Sequence, residues 1–318
     1  MTLEIEHRRL GRSEVTVPRV ALGCGNFGGV GSAPELFGQG LNDDQALALM
    51  DAAWELGITH FDTADAYGGG RSERAIGRWI RSRGVIPTIT TKTFNPMDAS
   101  ADHGLSPERI ERQLWSSLER LGVERVDLYL AHDFDPDVPL AVTFGEFEGL
   151  VEAERIRAYG VSNFGADRLE QALRAGEPAA VQNELSLLTR GDQRDVLPLC
   201  AEHEISYLAF SPLSGGWLAG KYRRGQPFPP GSRMTQRPEP YRALVADETF
   251  DALDRIEALA SEQGVSMAGF ALAWLLADDR VTQVVVGPGR PEHLGPVREA
   301  LEHPLDADER ARVGSVLA

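Results

Sequence analysis

The chain has 318 residues, 42% of them hydrophobic and 25% charged, an ordinary globular balance with room for one large α/β domain or two small ones. A formal net charge of −16 repels phosphate backbones and anionic lipid, which argues against nucleic-acid and membrane-surface partners. Two cysteines, Cys24 and Cys200, are too few for a disulfide framework, and the N-terminal stretch shows neither an apolar core nor a cleavage site, so the expectation is a cytoplasmic chain.

In chain order, Leu3, Ile5, Val15 and Val17 alternate around Gly11-Arg12, which predicts an N-terminal β-hairpin over residues 1–19. Val20–Gly25 reads as a first buried strand, followed by a glycine-rich loop to Gly40. Asn42 can cap a helix that turns Leu47, Met50, Ala53 and Trp54 to one face. Ile58–Asp62 is the second strand, Arg71–Arg83 a helix with Ile76, Trp79 and Ile80 inward, and Thr88–Lys92 the third strand. Helix Pro107–Leu121 leads to strand Val126–His132, helix Pro139–Glu154 to strand Ala158–Asn163, and helix Asp167–Ala175 to strand Val181–Leu185. Asp192–His203 precedes the seventh strand, Ser206–Ser211. A long irregular loop rich in Pro, Gly and Arg then occupies 212–246. Helices at 247–262 and 266–278, the eighth strand Val281–Gly287 and short helices complete the chain. The longest apolar run, Met267–Ala277, is too short to cross a bilayer and reads as a buried helix.

Eight β-then-α units predict a parallel sheet closed into a (β/α)8 TIM barrel as one domain, 1–318. The rival is an open doubly wound sheet. Gly23-Cys24-Gly25-Asn26-Phe27-Gly28 does match G-x-G-x-x-G, but about a dozen loop residues follow where that motif needs a helix at once. The barrel is the better reading.

Barrel chemistry gathers at the C-terminal ends of strands. Those ends here carry Asp62, Lys92, His132, Ser162-Asn163, Gln182-Asn183 and Ser211, with Tyr67 on the loop after the second strand. Lys92 and Lys221 are the only two lysines in the chain, and a lysine can have its pKa moved where an arginine cannot. A phenol near pKa 10 is a weak acid at neutral pH; an ammonium beside it lowers that value, and a carboxylate holds the ammonium. Tyr67, Lys92 and Asp62 fill those roles, and His132 can hydrogen-bond a substrate oxygen: a site for protonating a carbonyl while hydride reaches its carbon. No metal-ligand set is expected, and no nucleophile with its base and orienter is evident. A carboxylate-based hydrolase using Asp62 with Asp133 or Asp135 would leave Lys92 without a role.

From about Arg9 to Leu301 the chain resembles the aldo-keto reductases, most of all their bacterial and potassium-channel β-subunit branch. The resemblance is carried by Phe61-Asp62-Thr63-Ala64-Asp65-Ala66-Tyr67-Gly68, Thr90-Thr91-Lys92, Asp127 to His132, Gly160-Val161-Ser162-Asn163-Phe164, Val181-Gln182-Asn183-Glu184, and Ser211-Pro212-Leu213 through Gly220-Lys221. It implies a (β/α)8 barrel, NADPH as hydride donor with NADH not excluded, and the catalytic set Asp62, Tyr67, Lys92 and His132. By the same matching, Ser162, Asn163 and Gln182 hold the nicotinamide amide, and Phe210 stacks on its ring where a tyrosine is usual. Ser211, Leu213 and Gly215 supply backbone to the diphosphate, with Lys221 close by.

A last cofactor segment, within 287–318, begins Gly287-Pro288-Gly289-Arg290-Pro291-Glu292-His293-Leu294 and resembles G-x-x-R-P-E-Q-L. His293 replaces the usual glutamine, and Pro296-Val297 stands where Glu-Asn commonly meets the adenine. Gly287, Gly289, Arg290 and His293 are the expected contacts, Arg290 with the 2′-phosphate. Phe27, Phe94, Phe134 and Trp217, on long loops, are expected to wall an apolar substrate pocket. The expected partner is a small carbonyl compound; an alternative is a regulatory subunit that senses NADP(H) with little turnover.

Overall fold

The computed structural model describes residues 4–98 and 102–316. Strands β1 (His7–Arg9) and β2 (Thr16–Pro18) form the antiparallel hairpin. Eight further strands follow: β3 (Val20–Gly23), β4 (His60–Asp62), β5 (Thr88–Thr93), β6 (Val126–Ala131), β7 (Ile156–Ser162), β8 (Ala180–Glu184), β9 (Ser206–Phe210) and β10 (Val281–Val286). They close into a parallel barrel in the order β10-β3-β4-β5-β6-β7-β8-β9, so the (β/α)8 expectation holds.

Helices α1 (Asp43–Leu56), α2 (Arg71–Arg83), α3 (Pro107–Leu121), α4 (Leu140–Glu152), α5 (Ala166–Ala175) and α6 (Val196–Glu202) alternate with the strands. After β9 come α7 (Arg233–Gln236), α8 (Asp247–Glu262) and α9 (Met267–Leu276), and after β10 come α10 (Gly295–Glu302) and α11 (Ala307–Val316). Their starts follow local chemistry. Asn42 and Gln45 make a reciprocal capping box on α1, and the Ser106 and Ser266 hydroxyls cap α3 and α9. The α1 face is rotated slightly from the expected one: Ala46, Leu49, Met50, Ala53 and Leu56 are buried, while Leu47 and Trp54 are partly covered at its edge.

The hairpin has a task. Leu10, Val15 and Val17 are buried against Leu128, Leu130, Ala158, Ala180 and Leu208, side chains that point into the barrel. It plugs the barrel's lower end, and each such aliphatic burial contributes roughly 1.5–3 kcal/mol. Its turn needs Gly11: φ is +55°, and a Cβ there would stand 2.4 Å from the Ala179 carbonyl oxygen. Leu3 lies outside the described residues.

Several expected strands end one or two residues early. β3 stops at Gly23 rather than Gly25, β6 at Ala131 rather than His132, and β7 at Ser162 rather than Asn163. Just past those ends Asn163 adopts φ +63°, while the His132 N–H still donates to the Thr93 carbonyl at 2.9 Å. The 212–246 loop is more ordered than expected. It holds 3-10 turns at Ser214–Ala219 and Glu239–Leu244 besides α7. None of the described helices is long and apolar enough to cross a membrane.

Candidate active site

At the C-terminal mouth of the barrel, side chains from four strands, with Asn163 and the His132 carbonyl just past the ends of β7 and β6, make one hydrogen-bonded ring. Lys92 Nζ on β5 donates to Asp62 Oδ1 on β4 at 2.6 Å and to the Thr63 carbonyl at 2.9 Å. Gln182 Nε2 on β8 donates to Asp62 Oδ2 at 2.7 Å. The Gln182 carbonyl accepts from Ser162 Oγ at 2.8 Å, and Asn163 Nδ2 donates to the His132 carbonyl at 2.9 Å. Asp62, Lys92, Ser162 and Gln182 are all buried, so this ring is fixed by low-dielectric hydrogen bonds rather than by loop packing.

Tyr67 reaches the ring from the β4–α2 loop, which is tied to the strand bearing Lys92. Asp65 N–H donates to the Lys92 carbonyl at 3.0 Å, and Asp65 Oδ2 accepts from Thr93 Oγ1 at 2.8 Å. Lys92 Nζ consequently sits 5.3 Å from the centre of the Tyr67 ring, and the His132 ring meets Tyr67 edge-on at 5.5 Å between centroids.

The electrostatics sharpen the roles. Burial drives the Tyr67 phenol above its ordinary pKa, with Lys92 pulling the other way. The neighbouring ammonium alone would lower the value, as expected from sequence; here desolvation outweighs it, so the phenol keeps its proton. Burial opposes the charge on Lys92, but Asp62 and Tyr67 outweigh it and the net pKa is raised: the lysine is a firm cation. His132 is pushed down to about 3 by burial and by Lys92, so its imidazole is neutral, and Nδ1 has no protein partner. A neutral ring can offer an N–H to an incoming oxygen.

Above this floor opens a cavity of about 1190 Å³. Asp62, Tyr67, His132, Ser162, Asn163, Gln182, Phe210, Ser211, Leu213, Gly215, Lys221, Gly287, Gly289, Arg290 and His293 all line it, so the expected catalytic and cofactor residues converge on one space, with Lys92 sealed beneath. The turn after β9 is built for close approach: Ser211, Ser214, Gly215 and Gly216 all have positive φ. Gly216 leaves the room that Lys221 occupies, since a Cβ there would lie 2.5 Å from Nζ.

Two residues that the sequence reading missed, Arg233 and Arg237, also line the cavity. Arg233 donates to Asn26 Oδ1, joining the β9–β10 connection to the β3–α1 loop. Partial burial and the nearby Arg233 lower the Lys221 pKa; burial lowers that of Arg233, with Arg237 adding to the effect. Cations crowded in this way, in a chain of net charge −16, fit a polyanionic ligand such as a phosphorylated dinucleotide. The signal available in sequence was only the arginine content of 212–246.

The four expected substrate aromatics stand elsewhere. Phe27 and Trp217 are fully buried; Trp217 packs among Tyr222, Phe228 and Phe250 in the core of the long connection. Phe94 lies edge-on to His103, and Phe134 lies against Phe164 under the Arg168 guanidinium. Phe134 borders a separate hollow of about 390 Å³ instead. For Phe27 and Trp217 the apolar pull that places an aromatic on a loop also folds it inward, which corrects that expectation; Phe94 and Phe134 are partly buried and lie outside the lining of the large cavity.

Residues 19–318 match the family model described as the aldo/keto reductase family. Among curated proteins, the chain is 29% identical to an aldo-keto reductase of Schizosaccharomyces pombe named for NADP(+), over 92% of this chain and 85% of that one. It is 30% identical to the L-glyceraldehyde 3-phosphate reductase of Escherichia coli K12, over 94% and 88% of the two chains. Among solved structures, the glycerol dehydrogenase of Gluconobacter oxydans superposes with a TM-score of 0.83 at 28% identity, covering 98% of this chain and 95% of that one.

Proposed function

Because the chain belongs to the aldo/keto reductase family, we propose that it is an NADPH-dependent carbonyl reductase that converts an aldehyde or ketone to the alcohol. The observation that carries this reading is the approach of Lys92 to the Tyr67 ring at the floor of the large cavity.

NADPH, when bound, supplies the hydride that reduces the carbonyl carbon. Ser162, Asn163 and Gln182 would hold the nicotinamide amide, and the Phe210 ring would cover one face of the nicotinamide. Backbone of Ser211, Leu213 and Gly215 with the Lys221 ammonium would take the diphosphate, while Gly287, Gly289, Arg290 and His293 line the same cavity.

The chain's own groups do the rest. The Tyr67 hydroxyl gives its proton to the carbonyl oxygen. The phenolate left behind faces the Lys92 ammonium, whose charge Asp62 balances at 2.6 Å. Neutral His132 donates a hydrogen bond to the same substrate oxygen, and preorganised donors of this kind are among the strongest contributions to catalysis. The names of the relatives direct the choice of compounds towards small hydroxy-aldehydes and polyols. The test is NADPH oxidation, followed by absorbance, against a panel of small aldehydes, ketones and sugars. Turnover on members of that panel supports the reading; tight NADPH retention with no turnover on any would replace it with a sensing role.

A further inference from the structure

His293 is offered more hydrogen than it can accept. Gly289 N–H donates to its Nδ1 at 3.3 Å, and Arg290 Nε donates to its Nε2 at 3.0 Å. A neutral imidazole has one lone pair for hydrogen bonding and an imidazolium has none, so at least one donor faces a ring N–H. The charged groups around it are Arg290 and Glu292 from its own turn and Lys221 from the connection after β9. Helix α1, packed on that turn, brings the neutral Gln45 to the cavity, and on α10 Arg298 pairs with Glu302 while Glu299 is taken by Ser266. Glu292 lies 3.7 Å from Arg290, so one carboxylate answers two cations and a donor-rich ring. An acceptor bearing negative charge is the chemistry that resolves this crowding, and the whole group lines the large cavity.

Resting on the reading that the cavity holds a dinucleotide, we infer that His293 is a specificity-determining residue that takes up a proton when a phosphate group of the dinucleotide, its 2′-monoester or its diphosphate, binds beside it. The proton comes from solvent, the ring then carries two N–H groups of which one donates to a phosphate oxygen, and the Gly289 and Arg290 donors turn to the same anion. In the free protein, partial burial and the neighbouring Arg290 and Lys221 hold the imidazole below its ordinary pKa. The sign follows: binding couples to proton uptake, so affinity weakens as pH rises. The phosphomonoester's own second ionisation near pH 6 works in the opposite direction and changes affinity by no more than about twofold between pH 6 and 8.

The test is a set of dissociation constants for NADPH and NADH, from quenching of protein fluorescence at pH 6, 7 and 8, for the wild type and His293→Gln. The 2′-monoester source predicts that wild-type NADPH affinity falls by about fivefold or more across that range while NADH affinity stays level. It predicts also that the His293→Gln variant loses the fall while still binding NADPH. An equal fall for both dinucleotides, lost in His293→Gln, assigns the proton to the diphosphate. Calorimetric titration of the wild type in two buffers of different ionisation heat reads proton uptake without any variant. Level NADPH affinity, a fall that persists in His293→Gln, or no proton uptake overturns the inference. Failure of both dinucleotides to bind at every pH overturns the functional reading beneath it.

Discussion

Lys92 Nζ donates to Asp62 Oδ1 across 2.6 Å in a place where both side chains are buried, Asp62 at the cavity floor and Lys92 beneath it. An ion pair so desolvated holds only while both members are present. Gln182 occupies the second carboxylate oxygen, so the carboxylate is satisfied on both sides and the ammonium is held at one point beneath Tyr67.

Removing the charge from this pair tests its grip. Asp62→Asn leaves a buried ammonium facing a neutral amide, and loss of one member of such a pair costs about 3–5 kcal/mol. The expected outcome is a lowered denaturant midpoint in equilibrium unfolding together with reduced turnover. An unchanged midpoint would mean that the pair is not coupled to folding.

Two desolvated histidines set an acid limit. His132 is held at about 3 and His60 at about 4, both below the ordinary 6.5 and both mainly through burial. Each is neutral when folded, so its contribution is complete above pH 6.5 and is lost as pH falls towards those values. Asp65, raised to about 7 by burial and then by Glu73, runs the other way: its contribution is complete below pH 3.8 and is lost as pH rises to 7. Two histidines outweigh one carboxyl between pH 4 and 6.5, so stability should decline on acidification through that range. His132→Asn should flatten the decline by up to about 1.4 kcal/mol per pH unit. Unfolding midpoints across that range, in wild type and variant, check it.

Trp217 separates a packing role from a recognition role. Its ring is fully buried among Tyr222, Phe228 and Phe250, so Trp217→Ala should cost about 3–5 kcal/mol of stability. Trp217→Phe should keep KM values near those of the parent across a carbonyl panel. A shifted substrate range in that conservative variant would return the ring to the pocket wall.

The strand-end polar groups were legible because a barrel brings those ends to one mouth wherever the exact boundaries fall. His132 and Asn163 lie one residue beyond their strands, yet both still join the ring of hydrogen bonds. The direction of the Tyr67 shift was not legible, since it depends on how completely the phenol is desolvated, and that is a property of the packed loop. Arg233 and Arg237 were hidden for a related reason. No periodicity places residues in a Pro- and Gly-rich connection; their position comes from tertiary contacts such as that of Arg233 with Asn26. Phe27 and Trp217 misled because residue type alone does not say which way a loop aromatic turns.

The proton-donor role proposed for Tyr67 can be read from the turnover of Tyr67→Phe on an aldehyde that the parent reduces, measured beside the variant's NADPH affinity. Turnover should fall by about 10²–10⁴-fold with the affinity essentially unchanged. Reduction at the parental rate by the variant would contradict it.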